Sequence, residues 1–259
     1  MNIRLYPKKS LFALVLILFA LGTGCEMLPS EKKMAPTLFI GVDASGSFKH
    51  SGYYNNALKF LARYIYGHMN EIGGLVTPRA LFVGSVGGKK HNEPKTFHPI
   101  HDFRGKSIKE IERDLKTWFK PNDTLTDFNS FFEEVARITK ERNLILSPIT
   151  MMVVSDGIPD FSKGVDKNNS KGPYSQINLK PLEHLSRNIT LRLTYVSPVV
   201  GKRWRTEVSR NRVQLWTVDG EVMKRWPKYM KPGVDFAKQK EFWEWLRDNV
   251  NYPIRGNNV

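Results

Sequence analysis

The sequence predicts an α/β fold: a doubly wound, mostly parallel sheet flanked by helices on both faces. Three observations predict it. Strand-like apolar runs alternate with helical patterns along most of the chain, the arrangement that yields a parallel sheet covered on both sides. Two of those runs, Leu38 to Val42 and Ile149–Val154, are apolar without a polar face, as expected of strands buried on both sides. The first runs directly into Asp43, and the second reaches Asp156 after a single serine. Open parallel sheets bind their ligands at the carboxyl ends of strands.

The elements follow in order. The first strand covers residues 37 to 42. A helix over 53 to 69 places Tyr54, Ala57, Leu58, Leu61 and Ile65 on one face. Residues 80 to 86 read as a strand, and 96 to 101 as a further one. Ser107-Ile-Lys-Glu is a capping box that opens a helix with Ile108, Ile111 and Leu115 inward. Thr126-Asp127-Phe128 opens another, with Phe128, Phe131, Phe132, Val135 and Ile138 at spacings of three and four. Ile149–Val154 ends in Asp156-Gly157. The run Ile189–Val196 alternates, and 213 to 218 is the last strand. A closing helix spans 236 to 250, with Phe242, Trp243, Leu246 and Val250 towards the sheet. There is no repeat and no low-complexity tract. One domain over 37 to 250 accounts for all of this, with 251 to 259 as a tail.

The chemistry concentrates in Asp43-x-Ser45-x-Ser47, presented at the end of the first strand. One carboxylate and two hydroxyls are hard oxygen donors, suited to Mg²⁺ rather than to a soft metal. Taken singly, Ser45, Ser47 and Thr126 also read as helix caps or turn residues, and Asp156-Gly157 as a plain turn. Taken together, Asp43, Ser45, Ser47, Thr126 and Asp156 all sit just after strands or just before helices. This order resembles the von Willebrand factor A domain and its metal-ion-dependent adhesion site. The matching pattern is Asp-x-Ser-x-Ser, then a Thr, then an Asp in a (Thr/Ser)-Asp-Gly strand end. The resemblance covers roughly residues 36 to 250. It implies a Mg²⁺ (or Mn²⁺) held by those five residues, with an open position for an Asp or Glu carboxylate from a partner protein. It also implies that the strand at 96 to 101 is an antiparallel edge. The departure lies in Asn122-Asp123-Thr124-Leu125-Thr126, which lacks the glycine usual before the metal-site Thr. Thr126 is preferred because Asp127-Phe128 and the helix follow in register; Thr124 is the alternative.

The first residues set an expectation of location. Arg4, Lys8 and Lys9 precede an apolar stretch from Leu11 to Leu21, too short for a comfortable membrane span. Leu21-Gly-Thr-Gly-Cys25 follows, which looks like a bacterial lipoprotein signal, with Gly22 departing from the usual Leu. The chain has one cysteine, so it forms no internal disulfide, and Cys25 stands where the acyl lipid would go. Residues 1 to 24 are thus expected as a signal peptide and 25 to 36 as a lipid-attached tether. A lipid-anchored protein of the cell envelope is expected. Glu26 rather than Asp favours the outer membrane, facing the periplasm, if the source is Gram-negative.

The formal net charge is +15. Such a charge raises a nucleic-acid hypothesis, but no binding motif accompanies it and the export signal leads away from the genome. The late clusters Lys202-Arg-Trp204-Arg and Lys224-Arg-Trp226-Pro-Lys-Tyr suit an anionic membrane or an acidic partner, or else a solvated basic face with core aromatics. The long loop over 157 to 178 leaves from Asp156. Its Lys163 and Lys167 are placed to steer an acidic partner. His98-x-x-His101 lies on a strand, so the two rings point to opposite faces, and zinc is not expected. His50 follows the Asp43 loop closely enough to touch a ligand.

Two classes of function remain at this stage. One is a metal-dependent binding module and not an enzyme. The other is a Mg²⁺-dependent hydrolase or phosphotransferase on a similar fold. The phosphatases of that kind carry a second Asp two residues after the first, where this chain has Ser45. No Gly-x-x-x-x-Gly-Lys-Ser/Thr run occurs either.

Overall fold

The computed structural model describes residues 35–160 and 172–252. The expected signal peptide, Cys25, most of the tether, Lys163 and Lys167 lie outside the described residues. Eight strands are present: β1 Thr37–Val42, β2 Ala80–Ser85, β3 Gly87–Gly88, β4 Phe97–Pro99, β5 Leu125–Thr126, β6 Ile149–Val154, β7 Ile189–Val196 and β8 Val213–Asp219. Seven α-helices accompany them: α1 Gly46–His50, α2 Tyr54–Met69, α3 Ile108–Trp118, α4 Phe128–Glu141, α5 Pro198–Glu207, α6 Gly220–Met223 and α7 Lys240–Asn249.

Six strands form one sheet in the order β4-β2-β1-β6-β7-β8. All neighbours are parallel except β4, which pairs antiparallel with β2 through Phe82↔Pro99 and Gly84↔Phe97. This is the doubly wound arrangement expected from the sequence, antiparallel edge included. β1 lies between β2 and β6, and the chain winds outward from it in both directions. The crevice at the ends of β1 and β6 is the switch point of the topology, where such sheets bind ligands.

The two faces carry separate cores because side chains alternate along each strand. Leu38, Ile40 and Val42 point to the face covered by α2, α3 and α7. Phe39 points to the opposite face, beneath α4 and α5. β1 is buried along its whole length, which explains its unbroken apolar run. Phe131 of α4 packs so closely on the sheet that a Cβ at Gly41 would lie 2.9 Å from its ring. The capping box of α3 is formed, with Glu110 N donating to Ser107 Oγ and Ser107 N donating to Glu110 Oε2 at 2.8 Å.

One expectation needs correction and two are sharpened. The closing helix is split: a short 3₁₀ turn, Phe236–Lys238, precedes α7, because Gln239 turns its amide back to the carbonyls of Lys231 and Val234, each at 2.9 Å. β7 alternates in type but not in exposure. Arg192 is 9 % exposed, so the strand is buried on both faces. The tryptophans of the basic segments face inward: Trp204 is fully buried and Trp226 nearly so, with their indole N–H groups donating to Gly157 O and Asn56 Oδ1. They belong to the core, which leaves the membrane-facing reading of those segments without its aromatics.

Candidate metal centre

Five oxygen-bearing side chains named from the sequence meet at the carboxyl edge of β1 and β6. Asp43 leaves β1 fully buried. Its Oδ1 accepts the Ser45 N–H at 2.9 Å, so the loop folds back on its own carboxylate. Ser45 then caps α1, its Oγ accepting from Phe48 N. That cap holds the Ser45 hydroxyl 3.2 Å from Ser47 Oγ. Ser47 is exposed, on the first turn of α1. A cap and a ligand are therefore compatible readings of the same serine.

Thr126 arrives from the other side. It is fully buried, and its Oγ1 lies 3.5 Å from both carboxylate oxygens of Asp43. β5 pairs antiparallel with β3, Gly87↔Thr126 and Gly88↔Leu125, which fixes its register. Asp127 then caps α4 by accepting from Ser130 N. Thr124, the alternative, is exposed and donates to the Gly88 and Lys89 carbonyls. The structure thus sets Thr126, and not Thr124, beside Asp43.

Asp156 lies two residues past the end of β6, after Ser155. Gly157 lets the chain turn sharply there: its φ is +75°, and a Cβ would lie 2.8 Å from Val196 Cγ1. Only glycine combines that backbone with that space. Asp156 Oδ1 accepts from Ile158 N at 3.0 Å.

The electrostatics favour a cation. Burial pushes the Asp43 carboxyl up to about 6, against hydrogen bonds from Ser155 and Ser45, and the Asp156 charge adds to the rise. Asp156 is also raised, chiefly by burial and further by Asp160, while Ile158 N–H and the Ser47 hydroxyl oppose the shift. Two carboxylates that each disfavour ionisation are what a divalent ion would stabilise. The hydroxyl contacts of 3.2 to 3.5 Å are looser than a well-made O–H···O bond, so lone pairs remain available. The donor set is all oxygen, as Mg²⁺ or Mn²⁺ prefers. Among the described residues no group of three or more His, Cys, Asp or Glu could hold a metal. That suits a centre with two acids, in which hydroxyls supply the remaining donors.

Two residues were missed by the sequence reasoning. Ser155, fully buried, donates to Asp43 Oδ2 at 2.5 Å and accepts from Gly157 N at 2.9 Å, tying the two acids together. Its place in the (Thr/Ser)-Asp-Gly strand end was the available signal. Asp160 accepts from Thr126 N at 2.9 Å and its own N–H donates to Thr126 O at 3.0 Å. Nothing local in the sequence marks that pairing. The histidines stand apart. His98 stacks on Trp118 at 3.7 Å and hydrogen-bonds Asp102, and His50 Nδ1 lies 2.6 Å from the Gly46 carbonyl of its own helix.

No family model matches the chain, and no curated protein does. Among solved structures, the chain is similar to proximal thread matrix protein 1 from the mussel byssus, at 12 % identity over 76 % of this chain and 47 % of that one, with a TM-score of 0.44. It is similar to the manganese-loaded TRAP protein of Plasmodium vivax at 16 % identity, covering 73 % of this chain and 70 % of that one, with a TM-score of 0.42. It is also similar to the VWA domain of SpRpn10 at 10 % identity, over 84 % and 96 % of the two chains, with a TM-score of 0.38. The chain spans less than half of the mussel protein.

Proposed function

We propose that this chain is a metal-dependent protein-binding module of the von Willebrand factor A type, carried on a cell-envelope lipoprotein. Asp43, Ser45, Ser47, Thr126 and Asp156 would hold one Mg²⁺ (or Mn²⁺). The observation that carries the reading is the meeting of two burial-strained carboxylates and three loosely bonded hydroxyls at the switch point of a parallel sheet. Bound there, the ion supplies an electrophilic position that an Asp or Glu side chain of a partner can fill. The residues of the chain do the rest. Ser155 and Ser45 orient Asp43, Gly157 aims Asp156, and the bonds between Asp160 and Thr126 keep the hydroxyl of Thr126 turned to Asp43.

The function is recognition without turnover. Ser45 stands where a phosphatase would place its second Asp, and the hydroxyls beside Asp43 serve to orient its carboxylate. Lys163 and Lys167, on the loop leaving Asp156, would draw an acidic surface inward and quicken association at low salt. Cys25, acylated after removal of residues 1 to 24, would hold the module at the membrane, on the periplasmic side of an outer membrane in a Gram-negative source.

Capture of partners from solubilised membranes, with Mg²⁺ or with chelator, tests the reading. Binding should be lost in chelator while circular dichroism stays unchanged. Replacing residues 161 to 171, which leaves Gly157, Asp160 and the buried Tyr174 and Ile177 in place, with a short Gly-Ser link should weaken partner capture and spare metal binding. Equal capture with and without chelator would reject the proposal. Mass spectrometry finding an unmodified Cys25 in the mature protein would reject the lipid anchor alone.

A further inference from the structure

At the opposite edge of the sheet, the starts of β1 and β6 open onto a cavity of about 680 Å³ between the last turns of α2 and the face of α7. Its wall is mostly apolar: Leu38, Leu75, Trp243 and Leu246. Two polar side chains line it that are more than nine-tenths buried, Arg192 and His68, at 9 % and 7 % exposed. Each keeps one buried nitrogen without a hydrogen-bond partner among the described residues.

Arg192 reaches two partners, both neutral. Nη1 donates to Val250 O, and Nη2 donates to Tyr252 O at 3.2 Å. Its Nε–H is unpartnered. No described carboxylate pairs with it, although a buried guanidinium ordinarily requires one. His68 Nδ1 lies 2.7 Å from Val76 O. A carbonyl only accepts, so Nδ1 carries the hydrogen, and the neutral ring presents a lone pair at Nε2. Burial pulls His68 down to about 4, so the ring is neutral at physiological pH. Tyr64 joins the two: its ring meets His68 edge-on at 4.6 Å, and its hydroxyl donates to Asn251 Oδ1. The mouth adds Lys238, Lys240 and Arg247 against Glu244.

We propose that this cavity binds an amphiphilic oxyanion, a phosphomonoester or carboxylate head on an apolar body. The anionic oxygen meets the guanidinium of Arg192, beside the neutral His68 ring, and the apolar body lies against Leu75 and Trp243. The site lies at the other end of the sheet from the metal centre and does not depend on it.

Titration calorimetry of the full chain with phenyl phosphate tests this, with benzyl alcohol as the neutral control and dihexanoyl phosphatidic acid as the lipid form of the same head. Phenyl phosphate should saturate one site, and benzyl alcohol should not bind. Arg192→Met should weaken binding at least tenfold. Val76→Trp, which obstructs the mouth from a half-exposed position without touching the buried pair, should do the same. Tighter binding of the phosphatidic acid would assign the head to a lipid, and tighter or equal binding of phenyl phosphate to a free molecule; either supports the site. Absence of saturable binding by both probes would overturn it, leaving a cavity that holds only water. Binding undiminished in both variants would overturn it too. So would binding that appears only after residues 253 to 259 are deleted, because the chain's own end would then be the occupant.

Discussion

The two edges of this sheet bury opposite charges. At the carboxyl edge, Asp43 and Asp156 sit among hydroxyls and are pushed towards their neutral forms. At the amino edge, Arg192 is buried without a carboxylate among the described residues, and His68 is pushed towards neutrality from the cationic side. Both edges carry groups that burial penalises, and each would be relieved by a ligand of the other sign. The difference lies in how the backbone serves them. The carboxyl edge is built from strand ends, a cap and a glycine turn that aim side chains outward. The amino edge lies beneath two helices and gives a recessed, mostly apolar cavity whose mouth opens to solvent. One edge suits an exposed ion that a second protein can reach, and the other a small molecule held inside.

Replacing an acid by its amide at the carboxyl edge should show the largest effect. Asp43 keeps its proton to about pH 6 in the fold and to 3.8 when unfolded. The metal-free native state therefore binds more protons between these values and loses stability as pH rises through them. Asp43→Asn removes that penalty. In chelator at pH 8 it should gain up to about 3 kcal/mol by urea denaturation, while binding no metal. A variant less stable than wild type in chelator would mean that Asp43 is not strained.

The amino edge should respond to pH in the opposite sense. His68 titrates near 4 in the fold and 6.5 when unfolded, so the unfolded chain binds the extra proton in between. Stability tied to it is complete above 6.5 and is lost as pH falls towards 4, by about 3 kcal/mol. His68→Gln should flatten that part of the pH profile. An unchanged acid limb would place the His68 ring in water.

A backbone change should sharpen the contrast at the turn. Gly157→Ala forces a Cβ against Val196 at positive φ and should cost about 2 kcal/mol, with weaker metal binding because Asp156 is re-aimed. An equivalent change at Gly74, near the amino edge, has positive φ but open space, and should cost about 1 kcal/mol through backbone strain alone. Smallest is the pair Thr126→Ala and Thr124→Ala. The first should weaken Mg²⁺ about tenfold, near 1.4 kcal/mol, and the second should leave it unchanged. Equal losses would return Thr124 to the centre.

The carboxyl edge was legible in the sequence because its residues are local signals. Asp43-x-Ser45-x-Ser47 directly follows an apolar strand, and Asp156-Gly157 ends another. The choice between Thr126 and Thr124 was harder, since it depends on pairing with Gly87 and Gly88, almost forty residues away. Asp160 was out of reach for the same reason: its bonds are to a backbone that only the fold brings near. The amino edge was not legible at all. Arg192 is one position of an alternating strand and His68 lies in the last turn of α2, and neither pattern marks a site. Their isolation arises only when α7 closes over β7. The split of the closing helix escaped notice because Gln239 is a good helix former whose amide is claimed by Lys231 and Val234.

The most direct test is a Mg²⁺ titration of the chelator-stripped protein and of Asp43→Ala by calorimetry, repeated with Mn²⁺. The account predicts one divalent ion per chain in the wild type and none in the variant, with both proteins folded by circular dichroism. Undiminished binding in Asp43→Ala, or no binding in the wild type, would contradict it.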